Sequence, residues 1–151
     1  MDIELIEIAE QPTAVVRTES AIADLPALFG RVFAELMAAV AASGASVAGP
    51  PFAYYLRPPT DTVDVEIGFP VSGPVTPSGE IVASRLPGGR VVRAVHVGPY
   101  DRMEQSYEQI VAWMADHGLT PATAMWEAYL SDPATEPDPS TWRTEITWPV
   151  A

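Results

Sequence analysis

Hydrophobic residues between positions 25 and 40 recur at the spacing of an amphipathic helix. They are Leu25, Leu28, Phe29, Val32, Phe33, Leu36, Met37 and Val40. Steps of three and four residues bring these side chains onto one stripe, which we expect to be buried. Asp24 stands where an N-cap is favoured, and Gly44 stands where helices commonly end. The pattern therefore predicts a first helix between these two residues.

A second segment with helical spacing begins at Asp101 and is followed by Gly118. Its apolar positions are Met103, Tyr107, Ile110, Val111 and Met114. Glu104 follows Asp101 by three residues, as in a capping box, in which two side chains satisfy the first backbone N–H groups. We therefore predict a second helix that starts at Asp101.

Several other segments alternate between apolar and polar residues, as half-buried antiparallel strands do. The clearest are residues 63–69 and 142–148. Further strands are predicted at residues 3–8, 13–18, 52–56, 81–86, 90–97 and 125–130. Segments rich in proline, glycine and threonine at 57–62, 70–79 and 132–141 are predicted loops.

The two halves of the chain repeat each other. Val-Val-Arg occurs at 15–17 and again at 91–93, and Tyr-Leu at 55–56 recurs 74 residues later, at 129–130. Glu-Ile-x-aromatic-Pro-Val closes both halves, at 66–71 and 145–150. Each half has the order β-α-β-β, which indicates a duplicated unit.

These elements predict an α+β fold in which one antiparallel sheet carries two main helices related by a pseudo-two-fold axis. We expect a single domain over residues 1–151, built from repeats at about 1–75 and 76–151. A central pocket is expected between the halves, because ligand cavities often form where two structural units meet.

Composition narrows the classes of function. The chain has 20 Asp and Glu against 8 Lys and Arg, all of them arginine, and a formal net charge of −12. Nucleic acid is therefore a poor partner, since binding to its backbone requires clustered cations. A negative field of this kind favours cationic ligands, although it also serves solubility.

Further absences exclude several kinds of chemistry. There is no cysteine, and the only histidines, His96 and His117, are far apart in the sequence, so we expect no metal site and no disulfide. No phosphate-binding or dinucleotide motif is present, and we expect no cofactor. The acidic N-terminus lacks the features of a signal peptide, which favours a cytoplasmic location without a membrane span.

The candidate site centres on Glu127. Alternation along residues 125–130 places it on one strand face with Met125 and Tyr129. Tyr55 is the repeat equivalent of Tyr129, whereas the equivalent of Glu127 is Ala53, so the site has one carboxylate. Such a group suits a cation receptor or a general base. The alternative is an exposed glutamate on an ordinary strand.

The sequence resembles a known family over nearly its whole length. The segments that carry the resemblance are His96-Val97-Gly98-Pro99-Tyr100, Trp113, Gly118, Trp126-Glu127-Ala128-Tyr129-Leu130, Asp132-Pro133 and Thr144-Glu145-Ile146-Thr147-Trp148-Pro149-Val150. Their order and spacing are similar to the GyrI-like small-molecule-binding domain, which also forms the effector-binding part of some AraC-type and MerR-type multidrug regulators.

The resemblance implies a pocket for bulky, planar or cationic molecules, with Glu127 at the position of the charge-recognising glutamate. Tyr55, Tyr100, Met125 and Tyr129 are the expected lining residues. No helix-turn-helix module is expected, so direct DNA binding is not predicted.

Three functions remain open. The first is binding or sequestration of a lipophilic, cationic or aromatic small molecule. The second is cofactor-independent hydrolysis of strained, cyclopropane-bearing cytotoxins with Glu127 as general base. The third is inhibition of a protein partner, and whether the chain is a monomer or a homodimer is also left open.

Overall fold

The computed structural model describes residues 1–132 and 135–151. Pro133, half of the Asp132-Pro133 pair in the sequence resemblance, lies outside them. The helices and strands, in chain order, are β1 (Ile3–Ile8), β2 (Gln11–Ser20), α1 (Leu25–Ala42), β3 (Phe52–Tyr55), β4 (Val63–Pro70), β5 (Ile81–Leu86), β6 (Gly89–Val97), α2 (Met103–Asp116), β7 (Met125–Tyr129) and β8 (Arg143–Pro149). The eight predicted strands and two predicted helices are all present.

The strands form one antiparallel sheet in the order β1-β6-β8-β7-β3-β4-β2-β5. The first half contributes β2, β3 and β4 to one side, and the second half contributes β6, β7 and β8 to the other. The strand that leads each half crosses over, since β1 pairs with β6 and β5 pairs with β2. The α+β class and the duplicated architecture are confirmed.

Both helices pack on the same face of the sheet. Helix α1 buries Leu36 and Val40 against β2 and β4, and α2 buries Ile110 and Met114 against β6, β7 and β8. These two pairs are separated by 74 residues, the same offset as the tyrosines. The repeat read from the strands thus extends through the helices.

The first helix departs from its prediction in two details. Its hydrophobic stripe is not buried throughout, since 47% of Phe33 and 41% of Met37 are exposed. Asp24 occupies the N-cap position, but its side chain caps no backbone N–H group, because a short 3-10 turn over Ile22–Asp24 precedes the helix.

The capping box predicted for the second helix is wrong. A 3-10 turn covers Tyr100–Arg102, and α2 begins at Met103 without a side-chain cap. Gly118 ends the helix as predicted, with a φ of 68° that favours glycine.

One segment, Ile22–Ala42, is long and apolar enough to cross a membrane by length and composition. It packs on the sheet through Val32 and Leu36, both fully buried, while 28% of its most apolar stretch is buried. The cytoplasmic location stays a prediction, as does the assignment of residues 1–151 to a single domain.

The face of the sheet opposite the helices has its own cluster of buried apolar residues. Trp126, Phe52 and Val15 lie there with exposures of 3% or less. Gly68 lies opposite Val15, and a Cβ atom at Gly68 would come within 1.9 Å of the Ala14 carbonyl oxygen. Glycine is therefore required where these strands approach most closely.

Candidate functional site

A continuous row of paired residues crosses the helix-bearing face at the centre of the sheet. From edge to edge it runs Ile3, Ala94, Ile146, Glu127, Ala53, Ile67, Val16, Ile81. Glu127 is the single polar member of this row. It lies directly opposite Ala53, its own repeat equivalent, so the pseudo-two-fold axis passes between the two residues.

A cavity of about 1170 Å³ lies over Glu127, between the two helices. Its walls are mainly apolar and aromatic. They come from α1, α2, β3, β7, the ends of β4 and β8, and the loops beside them. Among the lining residues that the structure describes, the charged ones are Arg57, Glu127 and Asp132. A cavity of this size and character suits a bulky organic molecule.

The cavity wall repeats across the axis. Seven pairs of lining residues are separated by 74 positions, and one pair is separated by 79. They are Pro26 and Tyr100, Phe29 and Met103, Phe33 and Tyr107, Pro51 and Met125, Tyr55 and Tyr129, Arg57 and Ser131, Pro58 and Asp132, and finally Phe69 and Trp148. Each half thus contributes a similar apolar wall, while the axis itself carries an acid on one side and a methyl group on the other.

Glu127 is held in a largely desolvated environment. Its side chain is 8% exposed, and Oε1 accepts a hydrogen bond of 3.1 Å from the Tyr129 hydroxyl. Burial raises the pKa of Glu127 from 4.5 to about 7, and the hydrogen bond from Tyr129 opposes this rise. The carboxyl group therefore changes its charge close to neutral pH.

Aromatic rings surround the carboxylate. The ring of Tyr129 makes edge contacts with Phe29 and Tyr100, at centroid separations of 6.0 and 5.9 Å, and its hydroxyl shares a side-chain hydrogen bond with Tyr55. Burial and the nearby Glu127 charge raise the pKa of Tyr55, Tyr100 and Tyr129 above the usual value of 10. All three tyrosines are therefore neutral near pH 7.

Arg57 is the positively charged residue among the described lining residues, and its side chain is bound to residues outside the lining. Arg57 contributes to the lining, but its Nη2 atom lies 3.0 Å from Glu19 and its guanidinium also bonds Thr60 and Thr62. No ion pair between Arg57 and Glu127 is formed among the described residues. Among the described residues, Glu127 thus has a hydrogen bond from Tyr129 but no ion pair with a cationic side chain.

The five residues predicted for the site, Tyr55, Tyr100, Met125, Glu127 and Tyr129, all line the cavity. Tyr100 is 39% exposed and lies at the mouth, where its ring also packs against Trp142 at 5.0 Å. The structure brings these side chains together, and their role in binding stays a prediction.

Sequence reasoning missed several lining residues. Phe29, Phe33 and Tyr107 were assigned to helix stripes and Trp148 to a strand, yet all four line the cavity. The repeat offset was the available signal, because it pairs Phe33 with Tyr107. A stripe that packs on a sheet and a stripe that faces a cavity have the same periodicity.

Two other residues lie outside the cavity. His96 is 5% exposed, and its ring nitrogens lie 2.6 Å from Ser106 Oγ and 2.9 Å from the Pro99 carbonyl oxygen, so both nitrogens have polar partners. Trp126 lies on the sheet face opposite Glu127, as strand alternation predicts. No group of residues able to hold a metal ion occurs in the described parts of the chain.

Solved structures share this fold. The EcmrR C-terminal domain superposes with a TM-score of 0.87 at 24% identity, over 99% of this chain and 97% of that domain. In the EcmrR–DNA complex the TM-score is 0.86, again at 24% identity, and this chain at 99% coverage spans only 57% of the longer protein.

A more distant structure contains a ligand. SAV2435 bound to tetraphenylphosphonium superposes with a TM-score of 0.66 at 11% identity, over 100% of this chain and 94% of that one. At these identities the similarity shows the fold.

The family assignment comes from the sequence as a whole. No curated protein matches the chain. The family of GyrI-like small molecule binding domains, in contrast, matches residues 1–151. The chain therefore belongs to the GyrI-like small-molecule-binding family.

Proposed function

We propose that this protein binds lipophilic organic cations in the cavity over Glu127. The observation that carries the proposal is a single carboxylate, 8% exposed, at the centre of an apolar and aromatic cavity of about 1170 Å³. A buried carboxylate with no cationic partner is unfavourable, because water no longer solvates its charge. A ligand that supplies the positive charge removes this penalty.

The walls favour the same class of ligand. Aromatic rings at Phe29, Tyr55, Tyr100 and Tyr129 present π faces and edges around the carboxylate, and each cation–π contact contributes about 0.5 to 2 kcal/mol. Apolar groups of the ligand would be buried against the same rings. SAV2435, which shares the fold, binds tetraphenylphosphonium, a permanent cation with four aromatic groups.

Charge selectivity is tested most sharply with two ions of similar size and shape. We expect tetraphenylphosphonium to bind the purified protein at least tenfold more tightly than the anion tetraphenylborate, as measured by isothermal titration calorimetry at pH 8. A cavity that selects only for apolar surface would bind both ions alike. Equal affinities, or tighter binding of tetraphenylborate, would contradict the proposal.

A second candidate, hydrolysis, is favoured by one observation, the pKa of about 7 at Glu127. A general base works best near this value. In that reaction, Glu127 takes a proton from water, the water oxygen bonds to a strained ring carbon, and a ring C–C bond breaks. The electron pair of the broken bond moves to the other ring carbon, where an electron-withdrawing substituent stabilises it. That carbon then takes the proton from Glu127.

Mass spectrometry distinguishes the two functions. Under the hydrolase hypothesis, a cyclopropane-bearing electrophile gains the mass of one water with the native protein and is unchanged with Glu127→Gln. Under the receptor hypothesis, every bound compound is recovered unchanged. The third hypothesis, inhibition of a protein partner, stays a prediction.

A further inference from the structure

We propose that the site selects cations whose single charge lies between two apolar groups, and that Ala53 sets this specificity by leaving the axis with one acid. The inference rests on the proposed binding of organic cations and adds the shape and the charge of the ligand. The relevant observation is the position of the pseudo-two-fold axis between Glu127 and Ala53, and not the size of the cavity.

The negative charge of the site lies at the centre of the sheet. Glu127 and Ala53 are paired across β7 and β3 and are repeat equivalents, so the axis passes between them. The carboxylate is therefore central, with one helix and one set of strands on each side. A ligand cation drawn to this carboxylate is placed at the middle of the cavity rather than at one end.

The two halves of the chain form equivalent apolar walls on opposite sides of the axis. Phe33 is the repeat equivalent of Tyr107, and Phe69 is the repeat equivalent of Trp148. A cation with one apolar chain would cover only one of these walls. A cation with apolar groups on two sides covers both, and buried apolar area stabilises a complex at about 25 cal/mol per Å².

Ala53 has no exposed surface and belongs to the buried cluster against which Tyr55 and Tyr129 pack. A second glutamate at this position would pair with a second positive charge. With alanine there, the sheet centre holds one negative charge, since Asp132, the other acid among the described lining residues, is exposed. A second cationic group at the centre would be desolvated without a partner.

Each half of the chain also has a tyrosine at the position from which Tyr129 donates its hydrogen bond to Glu127. Tyr129 lies two residues after Glu127 and donates to its carboxylate, and Tyr55 lies two residues after Ala53. A glutamate at position 53 would thus have a tyrosine in the equivalent place. The site is therefore expected to work with its acid on either side of the axis.

Two constitutional isomers test the shape of the ligand. Dihexyldimethylammonium has its charge between two chains, and undecyltrimethylammonium has the same formula with its charge at one end. We expect the first to bind at least about fivefold more tightly in calorimetric titrations at pH 8, with both affinities reduced by Glu127→Gln. Equal affinities that both depend on Glu127 would overturn this inference and leave the proposed cation binding intact. If neither compound shows binding that depends on Glu127, the proposed function fails as well.

Exchange of the acid across the axis tests the role of Ala53. We expect Glu127→Ala to lower the affinity for dihexyldimethylammonium at least tenfold, and the double variant Ala53→Glu/Glu127→Ala to recover most of that loss. A double variant that folds, by circular dichroism and thermal melting, yet binds no better than Glu127→Ala would overturn the inference. If the double variant does not fold, the comparison of the two isomers with the native protein decides the question.

Discussion

Replacing Glu127 with glutamine is expected to lower the affinity for tetraphenylphosphonium about 30-fold, equivalent to about 2 kcal/mol. The substitution keeps the size of the side chain and removes its charge, so the shape of the cavity is retained. The attraction lost is large because the carboxylate is 8% exposed and water screens it little. Calorimetric titration of both proteins at pH 8 measures the difference.

The chain offers a matched control for this variant. Glu66 is also 8% exposed, but it lies on the opposite face of the sheet, where the Ser84 hydroxyl donates a 2.7 Å hydrogen bond to it. We expect Glu66→Gln to leave the affinity for tetraphenylphosphonium unchanged. An equal loss in both variants, or an equal loss for neutral triphenylphosphine oxide in Glu127→Gln, would show that the carboxylate does not recognise charge.

The stability of the protein should depend on the charge of Glu127. Burial raises the pKa of this group from 4.5 to about 7 on folding, so the folded protein binds the proton more tightly than the unfolded chain does. The stabilisation from protonation is therefore complete below about pH 4.5 and is lost as the pH rises to about 7. The difference amounts to about 3 kcal/mol.

Glu127→Gln isolates this contribution, because all other titrating groups are shared. We expect the variant to be more stable than the native protein by about 3 kcal/mol at pH 8, and the advantage to shrink towards pH 5. Urea unfolding at several pH values measures it. An advantage that does not change with pH would contradict a raised pKa at Glu127.

Ionisation of Glu127 should also change the affinity for cations, but in the opposite direction to its effect on stability. The affinity for a permanent cation is expected to rise with pH through about 7, as Glu127 becomes charged. Tyr55, Tyr100 and Tyr129 stay neutral in this range, so these neighbours do not add to the change. Asp132 also lines the cavity, and Glu127→Gln, which retains it, serves as the control.

Much of the fold could be predicted from the sequence. Periodicity located every strand and both helices, and the repeat identified Ala53 as the partner of Glu127 by position before their pairing was known. The sequence did not predict that β1 pairs with β6 of the second half and β5 with β2 of the first. Alternation shows which face of a strand is buried, but it does not show which strand lies beside it. Asp24 was correctly placed at the N-cap of α1, but 3-10 turns precede both helices, so neither has a side-chain cap, and α2 begins two residues after Asp101.

The site was predicted where strand alternation applied. Met125, Glu127 and Tyr129 share a face because successive residues of a strand point to opposite sides. The helix residues Phe29 and Phe33 were missed because their stripe predicts burial without saying against what. The 47% exposure of Phe33 is explained by its place in the cavity wall, a property of the assembled halves rather than of either helix.

A crystal structure of the protein with tetraphenylphosphonium, grown at pH 8, would show directly whether Glu127 recognises the cation. We expect the phosphorus over the sheet centre, with at least one phenyl ring in contact with the Glu127 carboxylate and other rings reaching towards both helices. A ligand bound at the rim, or inside the cavity but away from Glu127, would contradict the proposed function.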